Sequence, residues 1–114
     1  SWVYQYDLLA QATRPLHLRV GTCSNGGMHE LNQAEITHLL QVQPVVHIGV
    51  ISDGVPYVTP ASFVYTDGSV WFRAATGRRV SAMEESPRVC VEVTRYHQYT
   101  GMWESVVGDG LATS

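Results

Sequence analysis

Arg78 and Arg79 open a short segment, 77–86, that reads as a helix, and Glu84 and Glu85 close it. That order of charge runs against the helix macrodipole, at roughly 0.3–1 kcal/mol per charge. Pairing along the helix offers no relief, because the residues one turn beyond the arginines are Ala82 and Met83. A bound anion would compensate. The first-turn N–H groups of a helix are free and converge on the same place. Two guanidinium groups beside them suit a phosphate, and Gly77 lets backbone approach closely. A solvated pair of surface arginines is the plainer alternative.

Other residue types add to this picture or drop out of it. Pro60, with Pro56 before it, interrupts an otherwise strand-like run and makes it an edge or a bulge. An edge with unpaired N–H and C=O groups can meet the polar rim of a flat heterocycle; protection against aggregation is the simpler role. Tyr57, Tyr65, Trp71, Phe72 and Trp103 are many large aromatics for short strands, suited to stacking on a planar ligand or to core packing. Strand alternation sets Trp71, Arg73 and Ala75 on one face and Val70, Phe72 and Ala74 on the other, so Arg73 leaves the core. His29, His38 and His47 fall in a loop, a helix and a strand, with no metal-ligand spacing. No nucleophile triad, dinucleotide fingerprint or phosphate-binding loop is present.

The elements that must position these residues follow from turn signals and periodicity. Residues 1–31 carry weak signals: Val3, Tyr6, Leu8 and Leu9 could begin a short helix, Pro15 interrupts, and 21–27 reads as loop, so this stretch is taken as an arm or linker. Asn32 with Glu35 forms a capping box, and Ile36, Leu39 and Leu40 make one apolar stripe of a helix over 33–41, stopped by Pro44. Val46, Ile48 and Val50 then alternate as a strand. Turns at 52–54 and 66–69 bound a strand over 55–65 and introduce another over 70–74. The helix over 77–86 has Thr76 as its candidate N-cap and Pro87 beyond its end. Strands follow over 89–93 and 102–112, joined by a polar, aromatic connection at 95–101. Tight hairpins demand antiparallel pairing. Five short strands of this kind favour a small closed barrel or a sandwich.

Bulk properties narrow the class. The chain has 114 residues and a net charge of −3, enough for one small domain and opposed to non-specific nucleic-acid or polybasic membrane binding. No apolar run approaches a bilayer span, and no signal peptide is recognisable. Two cysteines, Cys23 and Cys90, are too few for a disulfide framework, and a reduced cytoplasmic setting is expected.

The run PYVTPASFVYTDGSVWFRAATGRRVSAMEESPRVCVEV, residues 56–93, resembles the pyridoxamine 5′-phosphate oxidase-like flavoproteins, and WESVVGDGLA, residues 103–112, resembles their returning strand. The resemblance spans about 33–114 and is closer to the short, nitroimidazole-resistance-like or general flavin-reductase-like branches. It implies a mainly β fold, an antiparallel split β-barrel with flanking helices, over 32–114. It implies bound FMN, with Val58, Thr59, Pro60, Ala61 and Ser62 along the ring and Phe72 and Arg73 beside the ring and ribityl chain. Arg78 and Arg79 would hold the phosphate, and Ser105 would contact the flavin from the returning strand. It also implies a homodimer with the cofactor at the interface and a small-molecule substrate. Arg79 stands where the family usually has Lys, and Arg73 where many members have Thr or His. The segment that grips pyridoxal phosphate in the oxidase itself has no counterpart before Ser114. The expected activity is FMN-dependent electron transfer from a nicotinamide-type donor to a small acceptor. A deazaflavin-binding redox protein and a non-catalytic flavin- or haem-binding dimeric module are the alternatives.

Overall fold

A computed structural model describes residues 2–7, 31–66, 68–74 and 77–113. Six strands and two helices follow one another: β1 (Trp2–Asp7), α1 (Gln33–Val42), β2 (Val45–Ser52), β3 (Val55–Thr66), β4 (Ser69–Ala74), α2 (Arg78–Glu85), β5 (Arg88–Tyr96) and β6 (Trp103–Thr113). The strands close into an antiparallel barrel in the order β1-β4-β3-β2-β5-β6. The mainly β barrel with flanking helices expected from the sequence is therefore what forms. No helix among the described residues is long and apolar enough to cross a membrane.

The barrel has one strand more than expected. Trp2–Asp7, where the residues carried only a faint helical signal, is strand β1; it pairs along all of β4, from Trp2↔Ala74 to Asp7↔Ser69, and touches β6 at Gln5↔Thr113 and Tyr6↔Ala112. Its alternation of Trp2, Tyr4 and Tyr6 with Val3, Gln5 and Asp7 is too short to announce a strand alone. It is defined by two remote partners that leave an edge to be covered. The expected 95–101 connection is also shorter, because β5 runs on to Tyr96. The loop at 21–27, Leu8, Leu9, Pro15 and Asp67 lie outside the described residues.

Local chemistry explains the well-read elements. The Asn32 side chain accepts from the Glu35 amide at 2.8 Å, and the Glu35 carboxylate accepts from the Asn32 amide at 3.0 Å. This reciprocal cap places Ile36, Leu39 and Leu40 against the core. Between β2 and β3, Asp53 (φ 51°) and Gly54 (φ 76°) take the two positive φ angles of a tight hairpin turn. The core is then built from alternate residues: Val46, Ile48 and Val50 from β2, Val70 and Phe72 from β4, and Val89, Val91 and Val93 from β5. Val80, Ala82 and Met83 of α2 join them.

The β2–β3 turn also sets the phase of β3. In a two-residue hairpin the flanking pair, here Ser52↔Val55, exchanges hydrogen bonds, and alternate residues thereafter point their backbone groups away from the partner. Pro56, Val58, Pro60 and Ser62 are those alternate residues. Both prolines therefore sit where the missing N–H costs β2 no ladder bond.

Candidate functional site

Strand β3 changes partner part-way along. It pairs with β2 from Val55 to Ser62 and with β4 only from Phe63 to Thr66. The last β3–β4 pair is Phe63↔Phe72, so beyond it the barrel splits. One lip of the split is the free edge of β3, carrying the backbone groups of Val58, Pro60 and Ser62. The other lip is the end of β4 at Arg73. A cavity of about 520 Å³ lies over this opening, lined by Ala61, Ser62, Phe63 and Val64 of β3, Trp71, Phe72 and Arg73 of β4, and Arg79 of α2.

Arg79 spans the split. Its Nη1 donates to Thr59 Oγ1 at 2.9 Å and to the Pro60 carbonyl at 3.3 Å, and its Nη2 donates to the Arg73 carbonyl at 3.4 Å. The guanidinium lies 5.7 Å from the centre of the Phe72 ring. Its Nε is buried and has no hydrogen-bond partner among the described residues, an arrangement that costs stability unless a ligand completes it. The helix start beside it is equally open. The N-cap is Gly77, with no side-chain cap, and the first turn holds no acid. Thr76, the expected cap, lies outside the described residues; the cap position falls one residue later, on a residue with no side chain to offer.

Arg78 takes a different direction. Its Nε donates to Ser52 Oγ at 2.9 Å, and its guanidinium lies 4.2 Å over the Tyr57 ring, a cation–π contact that ties α2 to the β2–β3 hairpin. No carboxylate lies within ion-pair distance of Arg73, Arg78 or Arg79 among the described residues. The reversed charge pattern of α2 thus stands without counter-ions among the described residues.

The residues singled out from the sequence are partly gathered here. Ala61, Ser62, Phe72, Arg73 and Arg79 line the cavity, and Thr59 and Pro60 bond to Arg79. Val58 points outward and lines a second cavity with Gly49, Tyr57 and Cys90. Ser105 is buried on β6 opposite Thr94 and lines neither cavity. Phe63, Val64 and Ser52 were not marked by sequence reasoning. A cross-strand Phe63–Phe72 pair is the kind of signal that would have found the first. Trp71 and Arg73 leave the core together, as their alternation required.

The comparisons with known proteins agree with this geometry. A family profile described as pyridoxamine 5′-phosphate oxidase matches residues 32–114, most of the chain. The chain belongs to the pyridoxamine 5′-phosphate oxidase family. Among solved structures, a FAD-binding protein from Mesorhizobium loti is similar, with 33% identity and a TM-score of 0.65. The match covers 81% of this chain and 60% of that one, so this chain spans less than two thirds of its neighbour's length. No functionally curated protein matched. Membership of this flavin-binding family covers α1 through β6, the part that carries the split, its cavity and the open helix start.

Proposed function

We propose that this protein is a flavin-dependent oxidoreductase that binds FMN at the β3–β4 split, as a homodimer with the cofactor at the interface between protomers. The observation that carries the reading is Arg79 bridging the split with a buried, unpartnered Nε, beside the uncapped start of α2. A phosphate ester ending a planar ring system fits that donor set: charge and N–H groups at one end, a free strand edge and an apolar wall along the rest. Arg79 and the first-turn amides of α2 would hold the phosphate. Arg78, fixed on Tyr57, would add field at the same helix end. The outward backbone groups of Val58 and Ser62 would meet the ring's polar rim, and Phe72 would floor the slot. Bound flavin would supply the redox chemistry, between a nicotinamide-type donor and a small acceptor. The outward apolar residues Val58, Val64 and Trp71 support a second copy covering this face. A reducing, cytoplasmic setting goes with the reading; Cys90 carries a free thiol.

FAD is the second reading, favoured by the Mesorhizobium loti neighbour. It shares the riboflavin phosphate, and the same residues would hold that part. Deazaflavin and haem are separated from both by the spectrum of the purified protein: two visible-to-near-UV bands for flavin, one near-UV band for deazaflavin, a Soret band for haem. The test is titration with FMN and riboflavin. The double substitution Arg78→Ala, Arg79→Ala is expected to weaken FMN binding by roughly 2–5 kcal/mol and riboflavin binding much less. Equal losses for both ligands would move the phosphate elsewhere.

A further inference from the structure

Arg73 is a cation at the split whose side chain makes no hydrogen bond or ion pair among the described residues. Its carbonyl accepts from Arg79, but its side chain is turned to the outer face with Trp71, away from Phe72 and the core. The cavity there has an apolar wall, Trp71 and Val64, and Ser62 across the opening. Nothing acidic among the described residues pairs with Arg73. The two arginines of the cavity are therefore not equivalent. Arg79 is committed to Thr59, Pro60 and the Arg73 carbonyl at the inner end, and Arg73 is uncommitted at the mouth. An uncompensated guanidinium beside an aromatic wall is a recognition pair for a flat ring carrying a negative group: the ring covers Trp71, and the charge meets the fork of Arg73.

Resting on the flavin reading above, we propose that Arg73 is a specificity-determining residue that selects a planar ligand bearing an anionic group, carboxylate or phosphate, at the mouth of the flavin slot.

The test uses the flavin-loaded protein and two pairs of probes that differ by one anion. Benzoate and benzamide are titrated while the visible flavin band is followed. Reduced nicotinamide mononucleotide and its neutral riboside are compared by the rate at which they bleach that band. The expected result is a preference of ~10-fold for the anionic member in one or both pairs, the scale of one charge-assisted hydrogen bond. A preference in the first pair assigns a carboxylate, and in the second a phosphate. Arg73→Gln brings the ratio close to one, and Arg73→Lys retains part of it. No preference in either pair overturns the proposal while leaving the flavin reading standing. So does an Arg73→Gln variant that loses FMN but not riboflavin affinity, since Arg73 is then a ligand of the cofactor phosphate. A variant that changes only the sedimentation of the protein, with the anion preference intact, makes Arg73 a contact between copies and also overturns it. Failure of FMN, FAD and riboflavin all to bind removes the flavin reading itself, and this proposal with it.

Discussion

Thr59 accepts a hydrogen bond at 2.9 Å from the Nη1 of Arg79, twenty residues later in the chain, and this bond fastens the start of α2 to the free edge of β3. The same nitrogen reaches the Pro60 carbonyl. One guanidinium therefore ties the two lips of the split together. Arg79→Lys keeps the charge but cannot reach Thr59, Pro60 and Arg73 together. It is expected to lower the unfolding free energy by about 1–2 kcal/mol and to weaken FMN binding less than Arg79→Ala does. Chemical denaturation and flavin fluorescence titration read the two effects separately.

Gly49 and Cys90 form a coupled pair on the outer face. A Cβ at Gly49 would stand 2.5 Å from Cys90 Sγ, too close without a shift of the thiol. Glycine within a strand itself costs roughly 0.5–1 kcal/mol relative to alanine. Gly49→Ala is thus expected to destabilise the wild-type protein and to stabilise a Cys90→Ala background. A thermodynamic cycle should show a coupling of about 1 kcal/mol, and additive effects would show that the thiol rotates away freely.

Glu104 is expected to contribute to the acid limb of stability at the β5–β6 end of the barrel. Burial pushes its carboxyl up. The hydrogen bonds and charges of Arg95, at 3.0 Å, and His97, at 3.4 Å, outweigh this and hold it below the ordinary value of 4.5. A carboxylate depressed in the folded state adds stability that is fully present above its unfolded pKa and is lost as pH falls through the folded one. The contribution from Glu104 should therefore fade below about pH 4.5. Glu104→Gln should flatten that part of the stability profile and cost about 1–2 kcal/mol at neutral pH, since the Nε of Arg95 already lacks a partner among the described residues. An unchanged acid limb in the variant would locate the titration elsewhere.

The capping box at α1 gives a simpler expectation. Asn32→Ala removes the side-chain acceptor of the Glu35 amide while keeping the backbone N–H that the Glu35 carboxylate caps, and should cost about 1 kcal/mol. Asn32→Asp should cost little, as its carboxylate accepts the same bond at a helix start. Thermal unfolding of the two variants decides between them.

Much of this molecule is determined by near-neighbour chemistry and is legible in the chain itself. Asp53-Gly54 dictates a two-residue turn, the turn dictates the phase of β3, and that phase puts Pro56 and Pro60 on an open edge. The reciprocal cap of Asn32 and Glu35, the outward pairing of Trp71 with Arg73, and the backward charge of α2 are local in the same sense. Each depends on φ preferences, on alternation or on the helix dipole over a few residues. Tertiary structure decided what depends on remote partners. Trp2–Asp7 becomes a strand only because β4 and β6 leave an edge to be covered. The split falls after Phe63↔Phe72 because β3 outruns the partner on each side. Adjacent arginines part company, Arg78 to Ser52 and Tyr57, Arg79 to Thr59 and Pro60, because consecutive side chains at a helix start project about 100° apart and each meets a different strand surface. Those choices are made by long-range packing and hydrogen-bond completion, which no short window of sequence contains.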